Sequence, residues 1–130
     1  MKGFHLLELL IVLTMIGILT AISLPMYSNH IRHERRLEAA TQLTRLAAAL
    51  EEYHIQHDTY QGASLARLHF PEFIADQNYQ LSMQVIGATH YTLIAKALGQ
   101  QSTDNTCGNL ILHETGLKEF TGSGKTEECW

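Results

Sequence analysis

The sequence predicts an α+β fold: a long N-terminal helix whose second half packs on a four-stranded antiparallel sheet, with a disulfide-bounded C-terminal segment. Three observations predict it. Residues 9–24 carry no charge and are followed by "RLEAATQLTRLAAALEEY", a stretch dense in strong helix formers with an apolar face. "YQLSMQV" and "HYTLIAKAL" alternate apolar and polar positions, as half-buried strands do. Cys107 and Cys129 both fall in the last quarter of the chain, in polar, turn-rich sequence.

The helix comes first. Residues 4–25 would rise about 33 Å as a helix, enough to cross the hydrocarbon core of a bilayer. A secretory signal would carry a charged leading region and a small-x-small cleavage site after a shorter apolar run. Here only Met1, Lys2 and Gly3 precede Phe4, and no such site follows. Glu8 is the only charged side chain between Phe4 and Tyr27. A carboxylate at mid-membrane costs about 2.5–3.5 kcal/mol, so Glu8 demands a partner. Pro25 removes an N–H and crowds the carbonyl of Ala21, and with Gly17, Thr20 and Ser23 it makes residues 17–25 the softest part of the span. Beyond it Leu43, Leu46, Ala47, Leu50, Tyr53 and His54 recur at helical spacing, opposite Glu38, Gln42, Arg45, Ala49 and Glu52. One helix over residues 4–57 is expected, apolar all round in its first half and amphipathic in its second.

Residues 58–78 lack sustained periodicity, contain Gly62 and Pro71, and read as a connecting loop. Tyr79, Leu81, Met83 and Val85 then share one strand face, and Tyr91, Leu93, Ala95 and Ala97 share the next. "NLILH" and "LKEF" form a second hairpin about Glu114, Thr115 and Gly116. The tail "TGSGKTEECW" reads as flexible except where Cys129 ties it.

Two readings of the cysteines are open, a pair of buried free thiols or a disulfide. The polar surroundings and the membrane segment upstream favour a disulfide formed in an oxidising compartment. Arg32, Arg35 and Arg36 outnumber Lys2 across the span, which by charge alone places the C-terminal part in the cytoplasm. The cysteines outweigh that count.

The whole chain has a formal net charge of −4, which points to no polyanion partner. Residues 58–130 hold Arg67, Lys96, Lys118 and Lys125 against eight acids, so high-affinity DNA binding is disfavoured and only a small local patch is left for it. "HIRHERR" reads either as a nucleic-acid patch or as a juxtamembrane face paired with Glu34 and Glu38. His54 and His57, like His30 and His33, are three residues apart, but no third ligand completes a metal site. No phosphate loop, nucleophile motif or zinc-protease motif is present, so the sequence supports no enzymatic activity and no catalytic residues.

"GFHLLELLIVLTMIGILTAISLPMY" resembles the type IV pilins of the short-leader class, most strongly over residues 3–36. The resemblance implies cleavage between Gly3 and Phe4 by a prepilin peptidase, N-methylation of Phe4, and an assembly role for Phe4, Glu8, Gly17 and Pro25. It divides the chain into a leader (1–3), a transmembrane and filament-core helix (4–27) and an extracytoplasmic globular domain (28–130). It also implies a Cys107–Cys129 disulfide, no cofactor and no metal. The expected product is a structural subunit: a bacterial inner-membrane precursor, then part of a surface filament for adhesion, motility or DNA uptake. Its partners would be other pilin subunits and, weakly, DNA. The alternatives are a minor pilin acting as DNA receptor, a type II secretion pseudopilin, and a monomeric membrane-anchored binding module. No acidic calcium-ligand cluster near the C-terminus supports the pseudopilin. His5 departs from the family, which has Thr there.

Overall fold

The structure, a computed structural model, describes residues 3–130. It forms two compact units, one reaching as far as His33 and one comprising Glu34–Trp130. Helix α1 (Leu6–His57) contributes to both.

In the first unit α1 begins two residues later than the sequence suggests, because the His5 carbonyl accepts its first bonds, from the N–H groups of Glu8 (2.9 Å) and Leu9 (3.2 Å). The helix then runs unbroken past Gly17 and Pro25. Its large apolar side chains from Leu6 to Met26 all remain 46–79 % exposed.

The second unit has its own core. On α1, Ala39, Ala40, Leu43, Leu46, Leu50 and Tyr53 are buried, recurring every three or four residues from Ala40 onward, so they form one stripe. The sheet covers that stripe. Its strands are β1 (Phe73–Ile74), β2 (Tyr79–Ile86), β3 (His90–Ala97), β4 (Leu110–His113) and β5 (Lys118–Phe120), antiparallel and side by side in chain order. Tyr79, Leu81, Tyr91, Leu93, Ala95, Leu110 and Leu112 point inward. The register sets Leu81 against Ala95 and Leu93 against Leu112.

The two-residue strand β1 lies inside the stretch that reads as a loop, making five strands rather than four. Leu81 N–H donates to the Glu72 carbonyl at 2.7 Å, and Gln80 Nε2 to the Glu72 carboxylate at the same distance. Between β1 and β2, Ala75, Asp76 and Gln77 are all left-handed, with φ of 53°, 52° and 62°. Each such residue costs about 1–2 kcal/mol, so the turn needs external support. The Glu38 carboxylate accepts the Ala75 N–H at 2.9 Å, and Asn78 Nδ2 donates to the Ala75 and Asp76 carbonyls.

The tail is ordered, contrary to its glycine-rich appearance. The N–H groups of Gly122, Ser123 and Gly124 donate to the carbonyls of Cys107, Asn105 and Thr106. A side chain at Gly122 would overlap the Thr106 carbonyl and the Cys107 nitrogen, so glycine here permits close backbone approach. A short helix, α2 (Thr126–Cys129), follows, and Trp130 Nε1 donates to the Glu119 carbonyl. Cys107 and Cys129 are bonded, with Cα atoms 5.5 Å apart, and both are buried.

Besides Glu38, two further polar ties hold α1 to the rest of this unit. Arg36 Nε and Nη2 donate to the two Asp104 carboxylate oxygens, both at 2.6 Å. The N–H groups of Thr106 and Cys107 approach Asp104 Oδ1 as well. Burial pushes the Asp104 carboxyl up, but the guanidinium and these N–H groups outweigh it and hold the group below its usual range. Some four turns further on, the Glu51 carboxylate accepts the hydroxyls of Tyr60 (2.8 Å) and Tyr91 (3.2 Å). Desolvation, followed by this bond, pushes the Tyr60 phenol up to about 12.

Two outcomes are expected. Because its folded-state titration is depressed, Asp104 contributes stability that is fully present above the ordinary carboxylate range and is lost as pH falls through its own. Asp104→Asn should lower stability by about 3 kcal/mol and flatten the acid limb of the unfolding curve. Glu51→Ala leaves two phenols without their acceptor and should cost about 1–3 kcal/mol, read as a shift in urea midpoint at unchanged m-value.

Candidate assembly site

The residues singled out at the N-terminus lie together in the first unit. Gly3, Phe4, His5 and Glu8 line one cleft of about 530 Å³. Phe4 is 87 % exposed. Glu8 lies in the first turn of α1, where the unpaired N–H groups and the helix dipole favour a negative charge. That local advantage is a reason for a carboxylate here which the sequence reading overlooked. Cleavage after Gly3 would add a positive amine at Phe4, two residues before α1 begins and in the cleft that Glu8 also lines.

Gly17 and Pro25 bracket a segment rich in hydroxyls bonded back to the helix. Thr20 Oγ1 donates to the carbonyls of Ile16 (2.8 Å) and Gly17 (3.0 Å), Ser23 Oγ to Leu19 (2.7 Å) and Ser28 Oγ to Pro25 (3.0 Å). Such bonds compete with the backbone ladder, and Pro25 supplies no N–H to the Ala21 carbonyl. The helix is intact here, short of the one ladder bond that Pro25 has no N–H to donate.

Other candidates are taken up by the fold. Arg36 is committed to Asp104, and Arg35 Nη1 lies 3.5 Å from Gln100 Oε1, so "HIRHERR" is not a free cationic patch. Glu38 supports the left-handed turn. His54 packs on the Tyr60 ring (4.5 Å), while His57 stacks on Tyr53 (4.1 Å) with Nδ1 3.0 Å from the Tyr53 carbonyl oxygen. Among the described residues no three His, Cys, Asp or Glu side chains converge as metal ligands. Sequence reasoning missed the roles of Asp104 and Glu51. A polar residue three positions before Cys107 is the one hint, and it equally describes any turn.

An exposed apolar half-helix and a separate roll of helix on antiparallel sheet, closed by a terminal disulfide, define the pilin class. A solved chain with this fold, the non-core minor pilin PilV of Neisseria meningitidis, superposes with a TM-score of 0.58 at 22 % identity, covering 77 % of this chain and 94 % of that one. Residues 25–111 match the family described as "Type IV minor pilin ComP, DNA uptake sequence receptor". A fimbrial protein of Pseudomonas aeruginosa is 32 % identical over 124 residues, 94 % of this chain and 71 % of that protein. A fimbrial protein of Neisseria meningitidis serogroup B is 36 % identical over 61 residues, 47 % of this chain and 36 % of that protein. The type IV major pilin PilE of Neisseria gonorrhoeae is 38 % identical over 56 residues, 43 % of this chain and 34 % of that protein. The matches thus span about a third of the length of these neisserial relatives. The chain belongs to the type IV pilins, in the minor-pilin family that its residues 25–111 match.

Proposed function

We propose that this pilin polymerises through the apolar half of α1 into a surface filament. The observation that carries the reading is the unpartnered apolar surface from Leu6 to Met26, beside a second unit whose core is already filled. Fully burying one such side chain is worth about 1.5–3 kcal/mol, so the segment belongs first in the inner membrane and then among the helices of neighbouring subunits. The globular domain, residues 28–130, would be exported and coat the filament, where it serves adhesion, motility or DNA uptake.

Maturation in this reading is cleavage between Gly3 and Phe4 by a prepilin peptidase, with methylation of the new amine. Glu8 would pair with the Phe4 amine of an adjacent subunit and so set axial register as well as favour assembly. Gly17 and Pro25 would mark where the helix loosens as subunits pack. Gly3→Leu should leave uncleaved precursor in the membrane, and mass spectrometry of normal-length mature chain from that variant would refute the cleavage site. Glu8→Ala should insert and be processed, yet reduce subunit in sheared filaments at least about tenfold. Wild-type filament yield would rule out the pairing.

The family's description supports a second, compatible reading, that the exported domain is a DNA receptor during uptake. Arg36 is committed to Asp104, while Lys96 on β3, Lys118 on β5 and Lys125 in the tail are exposed cations. About three phosphate contacts give a log–log salt slope of about −3 and, at physiological salt, a Kd above about 1 μM. Submicromolar binding by the globular domain would make DNA recognition its principal role.

A further inference from the structure

We propose that the free edge of β2 is a self-pairing site, where a second copy of this chain adds its own β2 antiparallel to the first. The proposal does not rest on the filament reading. β2 pairs with β3 along its whole length, but with β1 only at Tyr79 and Gln80. Just past Gln80, the Leu81 N–H donates to the Glu72 carbonyl on the β1 side. Backbone groups on one side of a strand recur every second residue, so Met83 and Val85 turn their N–H and carbonyl groups to that side too. No hydrogen bond of the described residues meets those four groups. The free edge, residues 82–86, ends at the turn after β2, where the Tyr60 N–H donates to the Ala88 carbonyl. Between Tyr60 and Glu72 the chain leaves the edge and packs toward α1. Leu65, Leu68 and Phe70 lie against the core, and the Arg67 guanidinium sits 5.6 Å from the centre of the Tyr53 ring. A groove of about 550 Å³ is left between this arch and β2, its lining including Ala63, Leu65, Phe70, Leu81 and Met83.

Three features select a second copy as the occupant. The edge is complementary to itself. Set antiparallel about Gln84, Met83 faces Val85 of the second copy, and Val85 faces its Met83. Both are hydrogen-bonded pairs, so the four backbone groups of each chain are used with none left over. The stretch "SMQVI" also lacks the charges and prolines that keep edge strands apart. The opposite edge, β5, is guarded in both usual ways: Lys118 and Glu119 charge it, and α2 lies against it. Direction follows from the fold. Gln101 Nε2 lies within reach of the Tyr79 hydroxyl and of Asp104, the partner of Arg36, at the start of β2. Glu51 meets Tyr91, which stands opposite Val85 near its end. β2 and α1 therefore run the same way, and antiparallel pairing sets the two α1 helices in opposite directions over residues 34–57. Copies side by side in one bilayer share a direction, so the pairing joins chains held by different membranes or filaments.

The test uses the full-length chain in detergent micelles, which impose no common direction. In the pairing Gln84 faces Gln84 of the second copy as a non-hydrogen-bonded pair, with Cα atoms about 4.5 Å apart and within reach of a disulfide. Cys107 and Cys129 are bonded to each other, so Gln84→Cys adds the one free thiol. Mild oxidation should give at least about tenfold more covalent dimer from it than from Lys96→Cys, an exposed position on β3. Val85→Pro in the Gln84→Cys chain removes a donor that the single chain leaves unused, and should abolish the excess. Equal dimer from Gln84→Cys and Lys96→Cys, or an excess that survives Val85→Pro, would overturn the proposal. A second measurement leaves residue 85 alone. Ser82 and Ile86 are exposed and face each other across the pairing. Ser82→Cys mixed with Ile86→Cys should therefore give mainly the mixed dimer, and each chain alone should give little. A statistical mixture of dimers would sink the pairing whatever Val85→Pro does.

Discussion

The globular unit depends on one buried ion pair. Asp104 takes two hydrogen bonds from Arg36 and further ones from Gln101 Nε2 and the N–H groups of Thr106 and Cys107. A carboxylate removed from water is tolerable only when its lone pairs are filled this completely. The arrangement fixes the segment entering Cys107 against α1. From that point β4 departs, and the tail returns to it through the disulfide and three backbone hydrogen bonds.

Along α1 the Arg36 and Glu51 ties flank the three leucines of the apolar stripe. Arg36 holds the helix before Leu43, and Glu51 holds it after Leu50. Dispersion and hydrophobic burial between them are non-directional and leave the helix free to slide or rotate by small amounts. The ion pair and the carboxylate with its two phenols are directional and remove that freedom. The N-terminal unit follows the opposite logic. It fills no core of its own and leaves its large apolar side chains from Leu6 to Met26 exposed.

The long helix and the four longer strands were legible because periods of 3.6 and 2 survive in the sequence. Strand β1 was not, since two residues carry no period and its pairing depends on β2 being in place. The run Ala75–Asp76–Gln77 carries no glycine to announce positive φ; Glu38, far away in sequence, makes it possible. Gly122 and Gly124 suggest mobility when read alone, whereas Gly122 permits the tail's closest backbone approach. Arg36 looks like one more basic residue beside the membrane until Asp104 is seen against it. The N-terminal candidates were legible because a single carboxylate in an apolar run stands out, but its favourable place in the first helical turn emerges only once the helix is seen to start at Leu6.

The order of the strands has a kinetic consequence. Each pairs with its neighbour in the chain, so no long loop must close before a hydrogen-bonded ladder can form. Contacts of this local kind accelerate folding, and mixed domains rich in them fold faster than sandwiches or barrels built on distant pairings. Exposed, unpaired strands are a hazard wherever copies of a chain lie close together. A sheet that zips up sequentially shortens the time they stay unpaired.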